Sequence, residues 1–372
     1  MKERKIRIGI TQGDTNGIGL EVVLKALSDP AMTELFVPVI YGSSKVVSYH
    51  RKGLELPAMQ MNVVGSVERV RDTSVNIVDC CGNEEVKVEL GVPSKIAGRA
   101  AYMALEAAVA DLKAGHIDAL VTAPINKDNI QSSEFTFPGH TEYLESVAGD
   151  GYHALMVLHN ADLRVALVTT HLPIKDVAPA ITRQSVLAAL TAFDASLRRD
   201  FGLERPRIAV LSLNPHAGEN GLMGHEEQEA IRPAMEQALD ENKILSFGPY
   251  AADGFFGSEA WRHFDGVLAM YHDQGLAPFK TIALESGVNF TAGLPIIRTS
   301  PDHGTAYDIA GQGKADENSF RQAVYTAIDV YRNRQNYDEP LKNPLPKLFH
   351  EKRDDSEKVR FAIPKAKDAI ES

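Results

Sequence analysis

The chain has almost no cysteine. Its only two, Cys80 and Cys81, are adjacent. Neighbouring residues rarely bridge, and one pair would staple little in 372 residues, so a reduced, cytoplasmic setting is expected. The scarcity also means that any metal site must use histidine and carboxylate rather than thiolate. No apolar run approaches the ~18 residues of a membrane span. The apolar stretch after the basic start MKERK is too short for a signal peptide. Basic charge is not in excess either. The net charge of -11 argues against a nucleic-acid partner, although a local basic pocket for a small anion stays compatible with it. The GxGxxG dinucleotide fingerprint is missing, and no internal repeat is visible.

What is present reads as a globular α/β chain, long enough for two lobes. Strands are expected at Lys5–Thr11, Phe36–Tyr41, Val75–Asp79, Ile117–Ala123, Ala154–Leu158, Arg164–Thr170, Ile208–Leu213, from Gly266, and near Thr281–Leu284. Helices are expected at Ile96–His116, Thr182–Arg199, His225–Asn242 and Phe320–Arg332. This alternation implies doubly wound, largely parallel sheets. From Asn333 the pattern dissolves into charge and proline, which reads as a solvated extension or an oligomer contact.

Three apolar runs end in histidine: RVALVTTH at His171, IAVLSLNPH at His216 and GVLAMYH at His272. In open α/β sheets ligands bind beyond the carboxyl ends of strands. Three histidines on one edge could hold one metal ion with positions left open, or each could merely bond its own loop. Asp273 could be a further ligand, a partner of His272, or a helix N-cap. His140 and Thr141 follow a Pro-Gly pair. They could meet a ligand, or Thr141 could cap a helix from Glu142. Lys280 and Arg298 are candidate clamps for phosphate or carboxylate, with Asn289 between them as a further hydrogen-bonding group. The Gly13–Gly19 turn could bind an anion at a helix start, and the polar loop Asp302–Gly311 could serve a nucleotide.

The motifs TQGDTNGIG, VTAPINK, FPGHTEYL, RVALVTTHLP, LNPHAGENG, AMYHDQGLAPFK and GLPIIRTSPDHGTAYDIAG together resemble the 4-hydroxythreonine-4-phosphate dehydrogenase family of pyridoxal phosphate biosynthesis. The resemblance runs from about Ile8 to about Val330. It implies a two-lobed fold like isopropylmalate dehydrogenase. The nucleotide-side lobe would take residues 1–125 and 275–335, the metal- and dimer-side lobe 126–274, and a charged extension 336–372. His171, His216 and His272 match the family's metal ligands, with Lys280 and Asp273 beside them in the catalytic machinery. His140, Thr141, Lys280, Asn289 and Arg298 match substrate contacts, and Gly13, His303, Gly304, Thr305 and Asp308 fall in loops implied to bind the cofactor.

The implied partners are NAD or NADP and one divalent ion (zinc, cobalt or magnesium). The implied assembly is a homodimer with the active site at the subunit interface. The implied reaction oxidises C3 of 4-phosphooxy-L-threonine and then removes carbon dioxide, giving 3-amino-2-oxopropyl phosphate. Two features depart from the family pattern: Gln12 and Asp14 in the first loop, where many members read Thr-Pro-Gly-Glu, and the long tail. Three rivals stand beside this reading: a sister enzyme for phosphorylated threonate or erythronate, a non-catalytic metal- or nucleotide-binding protein, and a three-histidine hydrolase.

Overall fold

The computed structural model describes residues 4–82, 86–283 and 285–344. Twelve strands form one sheet. They are β1 (Arg7–Thr11), β2 (Val37–Gly42), β3 (Met61–Val64), β4 (Val75–Asp79), β5 (Ala119–Thr122), β6 (Leu155–His159), β7 (Arg164–Leu167), β8 (Arg207–Leu211), β9 (Leu245–Tyr250), β10 (Gly266–Ala269), β11 (Val288–Ala292) and β12 (Arg298–Pro301). Their order is β3-β4-β2-β1-β5-β12-β11-β6-β7-β10-β8-β9. The first six are mutually parallel, as are the last four. Antiparallel β11 and β6 join these halves, so the expected sheets are one continuous sheet. Strands such as β2 and β5 are apolar on both faces because both faces are covered.

The two faces are packed differently. On one, a single core runs across the whole sheet, from Ile8 and Ile10 through Val157 and Phe290 to Ile208 and Leu268. On the other, the core is in two pieces. One gathers Val39, Leu120 and the helix Lys95–Lys113, which Ser94 caps by accepting from the Ala97 amide. The second gathers Met156, Val165 and Val267 under Leu276 and Phe279 of the helix His272–Ile282. Strand alternation sends Thr299 to the continuous face, where it bonds the Ala323 carbonyl, and Arg298 to the divided one.

Several local expectations are corrected. The strand expected near Thr281–Leu284 does not form. Thr281 and Ile282 end the helix His272–Ile282, and Leu284 lies outside the described residues. Strands β3, β9, β11 and β12 were not foreseen. The last helix runs Asn318–Lys342, past Asn333, because Asn333 and Arg334 bond the Asp200 carbonyl and carboxylate and Asp338 pairs with Arg199. Beyond residue 344 the extension lies outside the described residues.

Candidate active site

The gap between the two smaller cores is a cleft of about 280 Å3. His140, Thr141, His171, His272, Lys280, Asn289 and Arg298 all border it, with His303 and Gly304 at one end. His140 and Thr141 stand in the first turn of the helix His140–Ala148, whose cap position is Gly139, so Thr141 is not an N-cap. Asp273 likewise lies inside its helix, after His272, and does not cap it.

Arg298 forms the floor of the cleft and is only 3% exposed. Its guanidinium donates to Thr122 Oγ1 at 3.0 and 2.7 Å, to Thr291 Oγ1 at 3.2 Å and to His140 Nδ1 at 3.2 Å. Among the described residues every one of these partners is neutral. Burial lowers the Arg298 pKa to about 10, against the opposing pull of Glu142, so it remains a cation at neutral pH. His140 is held well below the ordinary histidine range, first by burial and then by the Arg298 and Lys127 charges. It is therefore a neutral imidazole. With Nδ1 accepting from Arg298, its proton sits on Nε2, which has no partner. Glu142 Oε2, Asn289 Oδ1 and His303 Nε2, all on the same cleft, are also buried without partners. Native proteins rarely leave such atoms unpaired, and their concentration here marks a place where a ligand belongs.

Two histidines carry matching supports. His171 Nδ1 lies 3.1 Å from Glu142 Oε1, and His272 Nδ1 lies 2.7 Å from Asp273 Oδ1. The His171 contact holds the Glu142 carboxyl below its ordinary pKa. A carboxylate on Nδ1 fixes the tautomer and leaves Nε2 free as a ligand, the arrangement of metal-binding histidines. The two rings are 6.0 Å apart between centroids. On the other side of the His171 ring, Lys127 Nζ lies 3.3 Å from Nε2, within hydrogen-bond distance.

His216 is elsewhere. Its strand, β8, does neighbour β10, which neighbours β7, so the three histidines leave one parallel edge as expected. His216, however, borders a separate cavity with Asn214, Asp253 and Asp273. Among the described residues no three histidines, cysteines or carboxylates gather to hold a metal ion. One chain thus brings together two of the three expected ligands.

The polar loop Asp302–Gly311 is anchored from beneath. Thr305 accepts from the Ile18 amide at 2.9 Å, and the Tyr307 hydroxyl donates to Asp14 at 2.8 Å. Gly304 and Asp308 are exposed. Gly13 is not: it is buried at φ +66°, and a Cβ there would stand 2.5 Å from the Pro124 carbonyl. Close packing is thus one reason for the glycine at this position. Gln12 is also buried, donating to the Ala100 carbonyl and accepting from the Ser43 amide.

Glu142, Lys127 and Thr122 were not singled out from the sequence. The only signal was their membership of the FPGHTEYL and VTAPINK motifs; their partners lie 29, 44 and 176 residues away. Among the described residues no helix is long and apolar enough to cross a membrane.

Residues 34–327 match the family model described as pyridoxal phosphate biosynthetic protein PdxA. The chain is 57% identical over 361 residues to a 4-hydroxythreonine-4-phosphate dehydrogenase of Bacteroides thetaiotaomicron, covering 97% of this chain and 98% of that one. That match takes in most of the C-terminal extension. A relative from Oceanobacillus iheyensis, provisionally named a D-threonate 4-phosphate dehydrogenase, is 38% identical over 88% of this chain and 98% of its own. The crystal structure of a 4-hydroxythreonine-4-phosphate dehydrogenase from Burkholderia phymatum superposes with TM-score 0.72 at 39% identity, covering 88% of this chain and 99% of that chain.

Proposed function

The chain belongs to the pyridoxal phosphate biosynthetic protein PdxA family, a family of dehydrogenases, and on that premise we propose that it oxidises 4-phosphooxy-L-threonine at C3 and releases 3-amino-2-oxopropyl phosphate and carbon dioxide. The observation that carries the substrate class is Arg298: a buried cation whose described partners are all neutral needs an anion to complete it. Lys280 and Lys127 add charge to the same cleft, enough for a substrate with both a phosphate and a carboxylate. Neutral His140 offers a donor, and Asn289 an unpaired carbonyl oxygen.

The paired supports on His171 and His272 suit a divalent cation, for which we propose His216 of a second copy of the chain as the third ligand, in a cytoplasmic homodimer. The exposed loop at Gly304 and Asp308 beside the cleft suits NAD or NADP. Bound there, the cation supplies Lewis acidity to the hydroxyl being oxidised, and the nicotinamide supplies the hydride acceptor. The chain's own residues do the rest. Arg298 and the lysines hold the anionic ends, so the C3–H bond is aimed rather than free to tumble. The carbonyl formed at C3 is β to the carboxylate, and the C1–C2 bond breaks with its electron pair moving toward that carbonyl.

The test is NADH formation at 340 nm with 4-phosphooxy-L-threonine, with and without EDTA, beside His216→Ala. Turnover lost to both supports the reading. Turnover only on the phosphorylated acids lacking the C2 amino group would assign the chain to the threonate relative's chemistry. No reduction of either nucleotide with any of these substrates would sink the proposal.

A further inference from the structure

Residues 216–220 form a left-handed turn. His216, Ala217, Gly218, Glu219 and Asn220 have φ of 53°, 53°, 77°, 43° and 56°. Four of the five are not glycine, and L-residues resist this conformation, so the surroundings must impose it. Glu227 is what lies beneath. It is 1% exposed, and no lysine or arginine pairs with it among the described residues. Its Oε1 accepts from the amides of Leu213 and Asn214 at 2.9 and 2.8 Å, and its Oε2 accepts from Asn214 Nδ2 at 3.0 Å. A Cβ on Gly218 would stand 2.7 Å from Oε2, so the turn is packed directly on the carboxylate. The residue opens a π-helical turn, Glu227–Ile231, a rare widening that recurs at functional sites. The far side of the loop is tied down as well, by Gln274, which donates to the Ser212 carbonyl at 2.6 Å from the turn that carries His272.

We propose that Glu227 is a positioning residue for the metal site: it holds the left-handed turn that presents His216. The inference rests on the metal reading above. It states that the third ligand is aimed by a carboxylate bonded to the backbone before it, as Glu142 and Asp273 aim the other two through their rings.

The experiment measures Co(II) affinity of the full-length protein, by competition with a chromophoric chelator and by the Co(II) absorption spectrum. Glu227→Ala should weaken binding 10–100-fold, the usual range for a residue behind a ligand. Glu227→Gln keeps an oxygen toward the two amides and should lose less. In a His216→Ala background neither change should weaken binding further. Unaltered affinity in His216→Ala alone would overturn the metal reading. Loss in His216→Ala with none in Glu227→Ala would overturn the positioning role. Equal loss from Glu227→Ala in both backgrounds would mean a general effect on the fold and would also overturn it. Should Glu227→Ala fail to fold, the same comparison is read from Glu227→Gln.

Discussion

Arg298 donates to Nδ1 of His140 at 3.2 Å, and that bond fixes the tautomer of a histidine that burial, seconded by the Arg298 charge, keeps neutral. Lysine cannot reproduce it. Its point charge reaches one or two of Thr122, Thr291 and His140 at a time, where the guanidinium fork reaches all three. Arg298→Lys should lower kcat/KM by roughly 10- to 100-fold, in keeping with the ~1.5–3 kcal/mol of a charged hydrogen bond. Steady-state kinetics with 4-phosphooxy-L-threonine decide it; activity within twofold of the native enzyme would refute the clamp.

Glu142 orients His171 across 3.1 Å. Glu142→Gln keeps the shape and removes the charge that raises the ligand's basicity. Divalent-metal affinity should fall about 10–100-fold with little change in melting temperature. A large drop in melting temperature with unchanged affinity would assign Glu142 to stability instead.

Lys127 Nζ lies 3.3 Å from His171 Nε2, the atom that a cation at the proposed site would need. Lys127→Met should therefore tighten metal binding several-fold while raising KM for the doubly anionic substrate. Calorimetric titration with Zn(II) reads the first effect and kinetics the second. Weaker metal binding in the variant would show that the lysine supports the site rather than competing for it.

His159 is another buried histidine, outside the cleft, and its pKa is lowered to about 4, first by burial and then by Arg164. Its folded value lies below the unfolded one of about 6.5. The native state therefore binds fewer protons, and stability is full above about pH 6.5 and declines as pH falls toward 4. His140 pulls in the same direction. At complete transit His159 accounts for about 3 kcal/mol. Denaturant melts of His159→Gln between pH 7 and 4 should show a shallower acid loss than the native protein; identical slopes would remove His159 as a cause.

The three histidine-ended strands were readable because an apolar run and a polar stop are local features, and β7, β10 and β8 do lie side by side. The fate of His216 was not readable. It depends on a run of positive φ packed against Glu227, eleven residues later, and nothing in NPHAGENG announces that. Strand β11 was missed although its five residues, VNFTA, alternate apolar and polar, because so short a segment is outweighed by the apolar run just before it. Asn289 borders the cleft, and Thr291 accepts from the Arg298 guanidinium on the same side of the sheet. Gly13 shows another limit: in sequence, a glycine needed for close packing looks the same as one needed for a ligand.

The unbroken core on one side of the sheet has a mechanical meaning. The halves that flank the cleft share Phe290, Val157 and their neighbours, so they cannot part like two independent bodies without tearing a common interior. The same sharing makes the two halves one cooperative unit, and calorimetry should record a single melting transition for the protein.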